Sequence, residues 1–178
     1  RRAIGAFSPG KMATADSRAV GAQSASPDRQ VVARAGDGGL AMLLGELITI
    51  VQNDLPVKVV VFDNSSLNFV ELEMKAAGFV TFGTDLKNPD FAAVAEAIGL
   101  KGFRVDDADD LEGALSAALA HDGPALVSVK TARQELSMPP SVTLEQAKGF
   151  TLYAIRTVLS GRGDELIDLA ATNFRQLF

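Results

Sequence analysis

Two polar turns, one acidic and one carrying an amide, have the residue types that bind a divalent cation. The first is the glycine-rich segment 35–39 (AGDGG), and the second is the segment 63–65 (DNS). Each turn directly follows an apolar run, and an amphipathic stretch separates them, which is the pattern of a βαβ unit. Carboxylate, amide and carbonyl oxygens are ligands that Mg²⁺ accepts. The sequence therefore predicts a magnesium site formed by Asp37, the Asn64 side chain and the Ser66 carbonyl.

The first turn also has the composition of a phosphate-binding turn. Gly36, Gly38 and Gly39 allow the backbone to turn tightly and to approach a ligand closely. A helix that begins near Leu40 would direct its free N–H groups and the positive end of its dipole at the turn. Because Asp37 would repel a phosphate beside it, a bound phosphate requires a cation between the two. The turn therefore predicts a diphosphate that a divalent ion bridges to the protein.

A purely structural interpretation of the first turn stays open. A Gly-Asp-Gly-Gly segment commonly forms a turn in which the aspartate caps a helix. It is not a Walker loop, because no Gly-Lys-Ser/Thr follows, and it lacks the third glycine of the dinucleotide-binding pattern. The second polar turn lies one crossover further along the chain, and the strands of such a unit end at the same edge of the sheet. This spacing favours a ligand site without deciding the matter.

The remaining pattern predicts an α/β fold, with a mostly parallel central sheet covered by helices on both faces. The predicted strands are 30–35, 57–62, 103–105 and 125–130, and the predicted helices are 12–24, 40–52, 71–77, 90–98, 109–120 and 144–159. Asp90 is expected to cap the helix that it begins, and Gly99 to end it. A loop is expected over 78–89.

Composition limits the classes of function. The chain has 178 residues, 47% of them hydrophobic, and can bury a full core. A net charge of −5 and a pI near 4.9 argue against a nucleic-acid partner. The absence of cysteine excludes disulfides and thiolate metal sites, and it agrees with a cytoplasmic enzyme. We find no targeting peptide and no apolar run of 18 residues.

The organisation expected is one domain over 1–160 and an amphipathic tail over 161–178. Because the chain opens at Arg1 without a methionine, we expect it to be part of a longer polypeptide. One face of the tail is apolar: Ile167, Ala170, Ala171, Phe174 and Phe178. This face could pack on the rest of the enzyme or lie on a membrane surface. Only Arg162 and Arg175 are basic there, so attraction to anionic lipid would be weak.

Other titratable residues have simpler expected roles. His121, the only histidine, falls at a predicted helix C-terminus, where a partial positive charge is favourable. The acidic run 106–110 opens a helix and is expected to cap it. Glu71 and Glu73 follow the second polar turn, where they could reach a site or lie on a solvated helix face.

The two turns and their spacing resemble the thiamine-diphosphate motif, usually written GDG through NN. Here the segment 36–38 is followed by 24 residues (positions 39 to 62) and then by Asp63-Asn64. The similarity extends over further segments: 6–13, 56–62, 73–75, 123–127, 144–150 and 160–165. Over essentially the whole chain, the sequence resembles the C-terminal third of bacterial pyruvate dehydrogenase (quinone), also called pyruvate oxidase.

The resemblance assigns ligand roles by position. It implies that Asp37 and Asn64 bind Mg²⁺ together with the Ser66 carbonyl. The backbone amides of Gly38 and Gly39 would hold the diphosphate.

The resemblance also assigns contacts to the rest of the cofactor. The Gly10 carbonyl would accept a hydrogen bond from the aminopyrimidine, and Met12 would lie beneath the bent cofactor. Phe69 matches an aromatic that lies between thiamine and flavin.

Several positions depart from the family pattern: Asp63 replaces the first asparagine of the motif, and Asn68 replaces a glycine. Ser8-Pro9 and Lys11 also replace the residues that are usual around Gly10. We expect Asn68 to keep the positive φ of that glycine.

The activity that the resemblance implies is oxidative decarboxylation of pyruvate to acetate and CO₂, with electrons passing through FAD to a quinone. In the family, a pyrimidine-binding domain and an FAD domain precede this segment, so this chain alone should be inactive. The resemblance also implies a homotetramer. It would lie in the cytoplasm or peripherally on the inner face of the cell membrane. Two alternatives stay open: a non-redox decarboxylase or carboligase such as acetolactate synthase, and a non-catalytic cofactor-binding fragment. The segment 144–164 argues against the non-redox alternative.

Overall fold

Four parallel strands form the central sheet in a computed structural model that describes residues 3–5, 11–133 and 143–174. They are β1 (Val32–Gly36), β2 (Lys58–Asp63), β3 (Lys101–Val105) and β4 (Ala125–Lys130). Their order in the sheet is β1-β2-β4-β3, and every neighbouring pair is parallel. The predicted parallel α/β fold is confirmed.

Eight α-helices accompany the sheet in the described part of the chain. They are α1 (Ala15–Ala25), α2 (Asp37–Met42), α3 (Glu46–Gln52), α4 (Asn68–Ala76), α5 (Phe91–Ile98), α6 (Leu111–Ala120), α7 (Leu144–Leu159) and α8 (Asp164–Phe174). A short 3₁₀ turn, Ala108–Asp110, precedes α6.

Alternation along β2 gives the sheet two buried faces. Val59 and Val61 lie in a core that includes residues of α1, α2, α3 and α5. Val60, between them, packs on the other face against a second core that includes Ala118 of α6. Successive strand residues point to opposite sides of a sheet, so helices cover both faces, as predicted.

The chain divides into two compact units. The first comprises Arg1–Asn64 and Lys87–Thr131, and it contains the whole sheet with α1, α2, α3, α5 and α6. The second comprises Ser65–Leu86 and Ala132–Phe178, and it contains α4, α7 and α8. Within the second unit, α7 packs closely on the end of α4 because Gly149 has no side chain. A Cβ at Gly149 would lie 1.8 Å from the carbonyl oxygen of Ala76.

Several predicted boundaries are confirmed by the capping residues. The Asp90 carboxylate accepts hydrogen bonds from the N–H groups of Ala92 and Ala93, and Gly99 ends α5 with a φ of 112°. The helix predicted over 144–159 is α7, and a capping box between Thr143 and Gln146 fixes its start. His121 is the C-cap of α6, as expected.

Three local predictions are wrong. The predicted helix 40–52 is two helices, α2 and α3, because i→i+3 hydrogen bonds replace the helical pattern over the turn 43–45. The first helix cannot begin at Met12, because Ala13 has a φ of 59°. The positive φ expected at Asn68 is found at Ser65 instead, at 58°, and Asn68 begins α4.

Candidate functional site

The carboxyl ends of β1 and β2 lie side by side and carry both polar turns. The register pairs Gly36 of β1 with Phe62 of β2, so Asp37 and Asp63 leave neighbouring strands at the same edge. Asn64 follows directly and is half-buried. The structure therefore brings Asp37 and Asn64 to one edge of the sheet, as the βαβ pattern predicts.

Asp37 is buried, and each of its carboxylate oxygens is held by a hydrogen-bond donor. The residue is only 3% exposed and begins α2. Its Oδ1 accepts from the backbone N–H of Gly38 at 2.8 Å, and its Oδ2 accepts from the side-chain amide of Asn88 at 2.8 Å. A carboxylate oxygen has more than one acceptor direction, so these bonds orient Asp37 and still permit coordination of a cation.

Asp63, Asn88 and Lys130 complete a polar group around Asp37, which we call the carboxylate cluster. Asp63 is 5% exposed. Its Oδ1 accepts from the same Asn88 amide at 2.8 Å, and its Oδ2 accepts from Lys130 Nζ at 2.8 Å. The parallel register places Asp63 directly opposite Lys130. One asparagine amide therefore bridges two buried carboxylates.

Sequence reasoning missed two of the four members of this cluster. Lys130 ends β4 at the edge where β2 ends, and only the observed pairing of β2 with β4 reveals this, because the sequence predicted no strand order. Asn88 lies in a segment predicted only as a loop. Its one sequence signal is the segment 88–90 (NPD), in which a proline and a helix cap follow it.

A small polar cavity of about 130 Å³ adjoins the cluster within the first unit. Asp63, Asn88 and Lys130 contribute to its wall, together with Arg104. Arg104 donates hydrogen bonds to Asp90 at 3.0 Å and to Asp106 at 2.7 Å, so its charge forms exposed ion pairs.

The glycines of the first turn leave room for a ligand. A Cβ at Gly36 would meet no described atom within 4 Å, and at Gly39 it would meet only Ala13 at ordinary contact distance. Packing among the described residues therefore does not require either glycine. The open turn and the oriented carboxylate of Asp37 fit a diphosphate bridged by a divalent ion. Among the residues that the structure describes, no three His, Cys, Asp or Glu side chains cluster as a metal site.

The structure describes three of the remaining predicted site residues, Ser66, Met12 and Phe69. Ser66 belongs to the second unit, where it is buried, and its hydroxyl donates to Glu71 Oε2 at 2.7 Å. Met12 is exposed, and Phe69 is 73% exposed at the start of α4. Gly10 lies outside the described residues. The roles of all four toward the cofactor stay predictions.

Glu71 corrects one expectation, because it is buried and does not lie on a solvated helix face. It forms an ion pair with Lys75 at 2.7 Å, and both side chains are 2% exposed. Lys75 Nζ also lies 5.6 Å from the ring centroid of Tyr153 on α7. Burial by itself would raise the pKa of Glu71, but hydrogen bonds from Lys75 and Ser66, with nearby positive charge, hold it below its usual value. This is a structural ion pair.

The tail forms the helix α8 over Asp164–Phe174. Its apolar residue Ile167 is exposed, while Leu166 and Leu169 are half-buried. Arg162, just before α8, donates to Thr81 and Glu165 and ties this region to the second unit. Among the described residues, no helix has the length and hydropathy to cross a membrane.

Comparison with known proteins places this geometry in a family. Residues 1–129 match the model of the thiamine pyrophosphate enzyme C-terminal TPP binding domain. YdaP of Bacillus subtilis, named as a thiamine pyrophosphate-containing protein, is 36% identical over 151 residues, which cover 85% of this chain and 26% of the relative. The large subunit of acetolactate synthase isozyme 2 of Escherichia coli is 40% identical over 115 residues, covering 62% of this chain and 21% of the relative.

A solved structure agrees with these relatives. The thiamine diphosphate-dependent 4-hydroxybenzoylformate decarboxylase of Rhodococcus jostii RHA1 superposes with a TM-score of 0.64 and 34% identity, over 68% of this chain and 23% of that one. The chain thus spans about a quarter of the length of the relatives that it matches. It belongs to the family of C-terminal TPP binding domains of thiamine pyrophosphate enzymes.

Proposed function

We propose that this chain supplies the Mg²⁺- and diphosphate-binding half of a thiamine diphosphate site in an enzyme that acts on a 2-keto acid. One observation carries the proposal: Asp37, buried at the end of β1, has each carboxylate oxygen held by a donor, and Asn64 follows the neighbouring strand. Oriented oxygen ligands of this kind are what a magnesium–diphosphate unit requires.

The residues of the two turns divide the work of binding. Asp37 and Asn64 hold Mg²⁺, with the Ser66 carbonyl as the expected third protein ligand. The amides of Gly38 and Gly39 bind the diphosphate, whose charge the metal balances. The single N–H of Gly38 is then shared between the Asp37 carboxylate and the diphosphate. The bound cofactor supplies the nucleophilic carbon and the electron sink for decarboxylation of a 2-keto acid. The protein's part is to orient it and to shield it from water.

The specific activity that we favour is oxidation of pyruvate to acetate and CO₂, with electrons passing through FAD to a quinone. The segment 144–164 supports it, because this part of the sequence resembles the pyruvate dehydrogenase (quinone) family. The alignment with YdaP, named as a thiamine pyrophosphate-containing protein, covers 151 residues and so extends past the family model and into α7, where this segment begins. The exposed ring of Phe69 is available to lie between thiamine and flavin.

A non-redox decarboxylase or carboligase is the second candidate. Acetolactate synthase and 4-hydroxybenzoylformate decarboxylase are both similar to this chain at comparable identity. Anaerobic addition of pyruvate to the natural polypeptide, with any flanking residues, separates the two. Bleaching of the flavin absorbance indicates the oxidase, whereas acetolactate or acetaldehyde formed without flavin reduction indicates the alternative. A protein that binds cofactor but releases no CO₂ from pyruvate or from aromatic 2-keto acids such as 4-hydroxybenzoylformate would be a non-catalytic module.

Association and location follow from the same proposal. A homotetramer would cover the apolar residues that α7 exposes, such as Ile155, Val158 and Leu159. We place the enzyme in the cytoplasm, where α8, whose Ile167 is exposed, contacts the inner face of the cell membrane. Sedimentation and flotation with anionic vesicles measure these two properties separately.

Calorimetric titration of thiamine diphosphate tests the proposed function directly. We expect binding that requires Mg²⁺ and that Asp37→Ala abolishes. The matched control is Asp28→Ala, which removes an exposed aspartate outside the site and should leave binding unchanged. A folded wild-type protein that does not bind the cofactor in the presence of Mg²⁺ would overturn the proposal.

A further inference from the structure

Asn88 contacts both buried carboxylates of the carboxylate cluster. Its Nδ2 lies 2.8 Å from Asp37 Oδ2 and 2.8 Å from Asp63 Oδ1. The opposite orientation of the amide would set its oxygen against two carboxylates, so chemistry fixes which end faces them. The two N–H bonds of one amide group are thereby shared between two acids.

Regular structure fixes the position of each member. Asp37 begins α2, and Asp63 and Lys130 face each other on paired strands. Asn88 precedes Pro89, which restricts its backbone to extended conformations, and Asp90 then caps α5. Asn88 therefore lies two residues before the cap of α5, and the capped helix limits the movement of this donor. Binding sites keep their geometry when regular elements support their residues.

Asp63 serves as the anchor of this arrangement. Lys130 Nζ lies 2.8 Å from Asp63 Oδ2 and balances the charge of this buried carboxylate. With its amide tied to Asp63 on one side, Asn88 has little freedom to rotate away from Asp37 on the other. The departure of Asp63 from the asparagine of the family motif is thus accommodated within the cluster.

We propose that Asn88 is a positioning residue for the metal: its amide, anchored on Asp63, holds the Asp37 carboxylate in the orientation that binds Mg²⁺. This proposal rests on the proposed function. Hydrogen-bond partners of metal ligands tune metal affinity, and their loss typically weakens it about 10- to 100-fold.

The test is Mn²⁺ binding, measured by electron paramagnetic resonance with saturating thiamine diphosphate on the natural polypeptide, with any flanking residues. We expect Asn88→Ala to weaken Mn²⁺ binding about 10- to 100-fold. Asn53→Ala is the matched control, since Asn53 is exposed and its side chain donates a hydrogen bond to the Thr49 carbonyl. It should leave Mn²⁺ affinity unchanged.

Two further readouts separate positioning from general stability. At saturating Mn²⁺, Asn88→Ala should change the zero-field splitting of the bound ion, because the Asp37 ligand is reoriented, whereas Asn53→Ala should not. Asn88→Ser retains one donor and should give an affinity between those of wild type and Asn88→Ala. If the alanine variant does not fold, the serine variant decides, with binding more than about threefold weaker as the expected result.

The possible results distinguish the positioning role of Asn88 from the proposed metal and cofactor site itself. Wild-type protein that binds no Mn²⁺ with the cofactor present overturns both proposals. Wild-type binding together with a folded Asn88 variant of affinity within about threefold of wild type overturns the positioning role alone. In that case the metal site of Asp37 and Asn64 stands.

Discussion

Two buried carboxylates, Asp37 in the first unit and Glu71 in the second, are held by different kinds of donor. Asp37 accepts from an amide side chain and a backbone N–H, and neither of these donors carries a charge. Glu71 accepts from the ammonium group of Lys75 and from a hydroxyl. The first arrangement orients a carboxylate, and the second neutralises it. Burial of an acid therefore does not by itself indicate a metal site.

The largest expected effect concerns the buried ion pair of Glu71 and Lys75. Lys75→Met leaves Glu71 buried without its ammonium partner, and we expect the free energy of unfolding to fall by about 3–5 kcal/mol. Urea denaturation measures it. The matched control is Lys101→Met, which breaks an exposed pair with Glu96 at 3.5 Å and should cost less than about 1 kcal/mol. Equal losses in the two variants would contradict the assignment of Glu71 and Lys75 as a structural pair.

Asp16 of the first unit sharpens the comparison through pH. It is buried, and its Oδ1 has no hydrogen-bond partner among the described residues. Burial, and secondarily the charge of Glu46, raises the pKa of Asp16 from 3.8 to about 6. Because the folded pKa is the higher one, stability from this group is present below the unfolded value and is lost as pH rises through about 6. Glu71 has the opposite sign, since its lowered pKa makes stability fall as pH drops below its usual value of 4.5.

Replacement of Asp16 by asparagine should therefore stabilise the protein near neutral pH. We expect Asp16→Asn to raise the free energy of unfolding at pH 7 by about 2 kcal/mol and to flatten the profile between about pH 4 and 6. Asp28→Asn, at an exposed position, should do neither. An unchanged pH profile in Asp16→Asn would show that Asp16 is not the group that titrates.

The smallest effect concerns Lys130, the cation of the carboxylate cluster. Lys130 is 48% exposed, so Lys130→Met should cost only about 1 kcal/mol of unfolding free energy, well below the loss from Lys75→Met. Removal of a positive charge near Asp37 should also tighten Mn²⁺ binding about threefold. Denaturation and metal titration check the two effects. Weaker Mn²⁺ binding would mean that Lys130 helps to form the metal site instead of opposing the cation.

Much of the fold could be predicted because its signals are local. The apolar runs that became β2 and β4 alternate between two buried faces, and Asp90 and Gly99 mark the ends of α5 by their own backbone chemistry. Asp37 and Asn64 were predictable as neighbours, because parallel strands joined by one crossover end at the same edge.

The remaining features depend on contacts between distant parts of the chain. Asn88 and Asp37 are 51 positions apart in the sequence, and the proline and helix cap that follow Asn88 do not indicate their contact. Glu71 is buried because α4 packs on α7, which begins more than 70 residues later. The backbone of Ala13 takes a positive φ that its residue type does not suggest. Such features come from tertiary packing, which overrides local propensity.

The central claim is that Asp37 and Asn64 together hold the metal of a thiamine diphosphate site. Anomalous diffraction from crystals grown with thiamine diphosphate and Mn²⁺ tests it most directly. We predict one Mn²⁺ peak at about 2.1 Å from a carboxylate oxygen of Asp37 and from the side-chain oxygen of Asn64, with diphosphate oxygens completing its shell. Bound cofactor with the Mn²⁺ peak away from Asp37 would contradict the account.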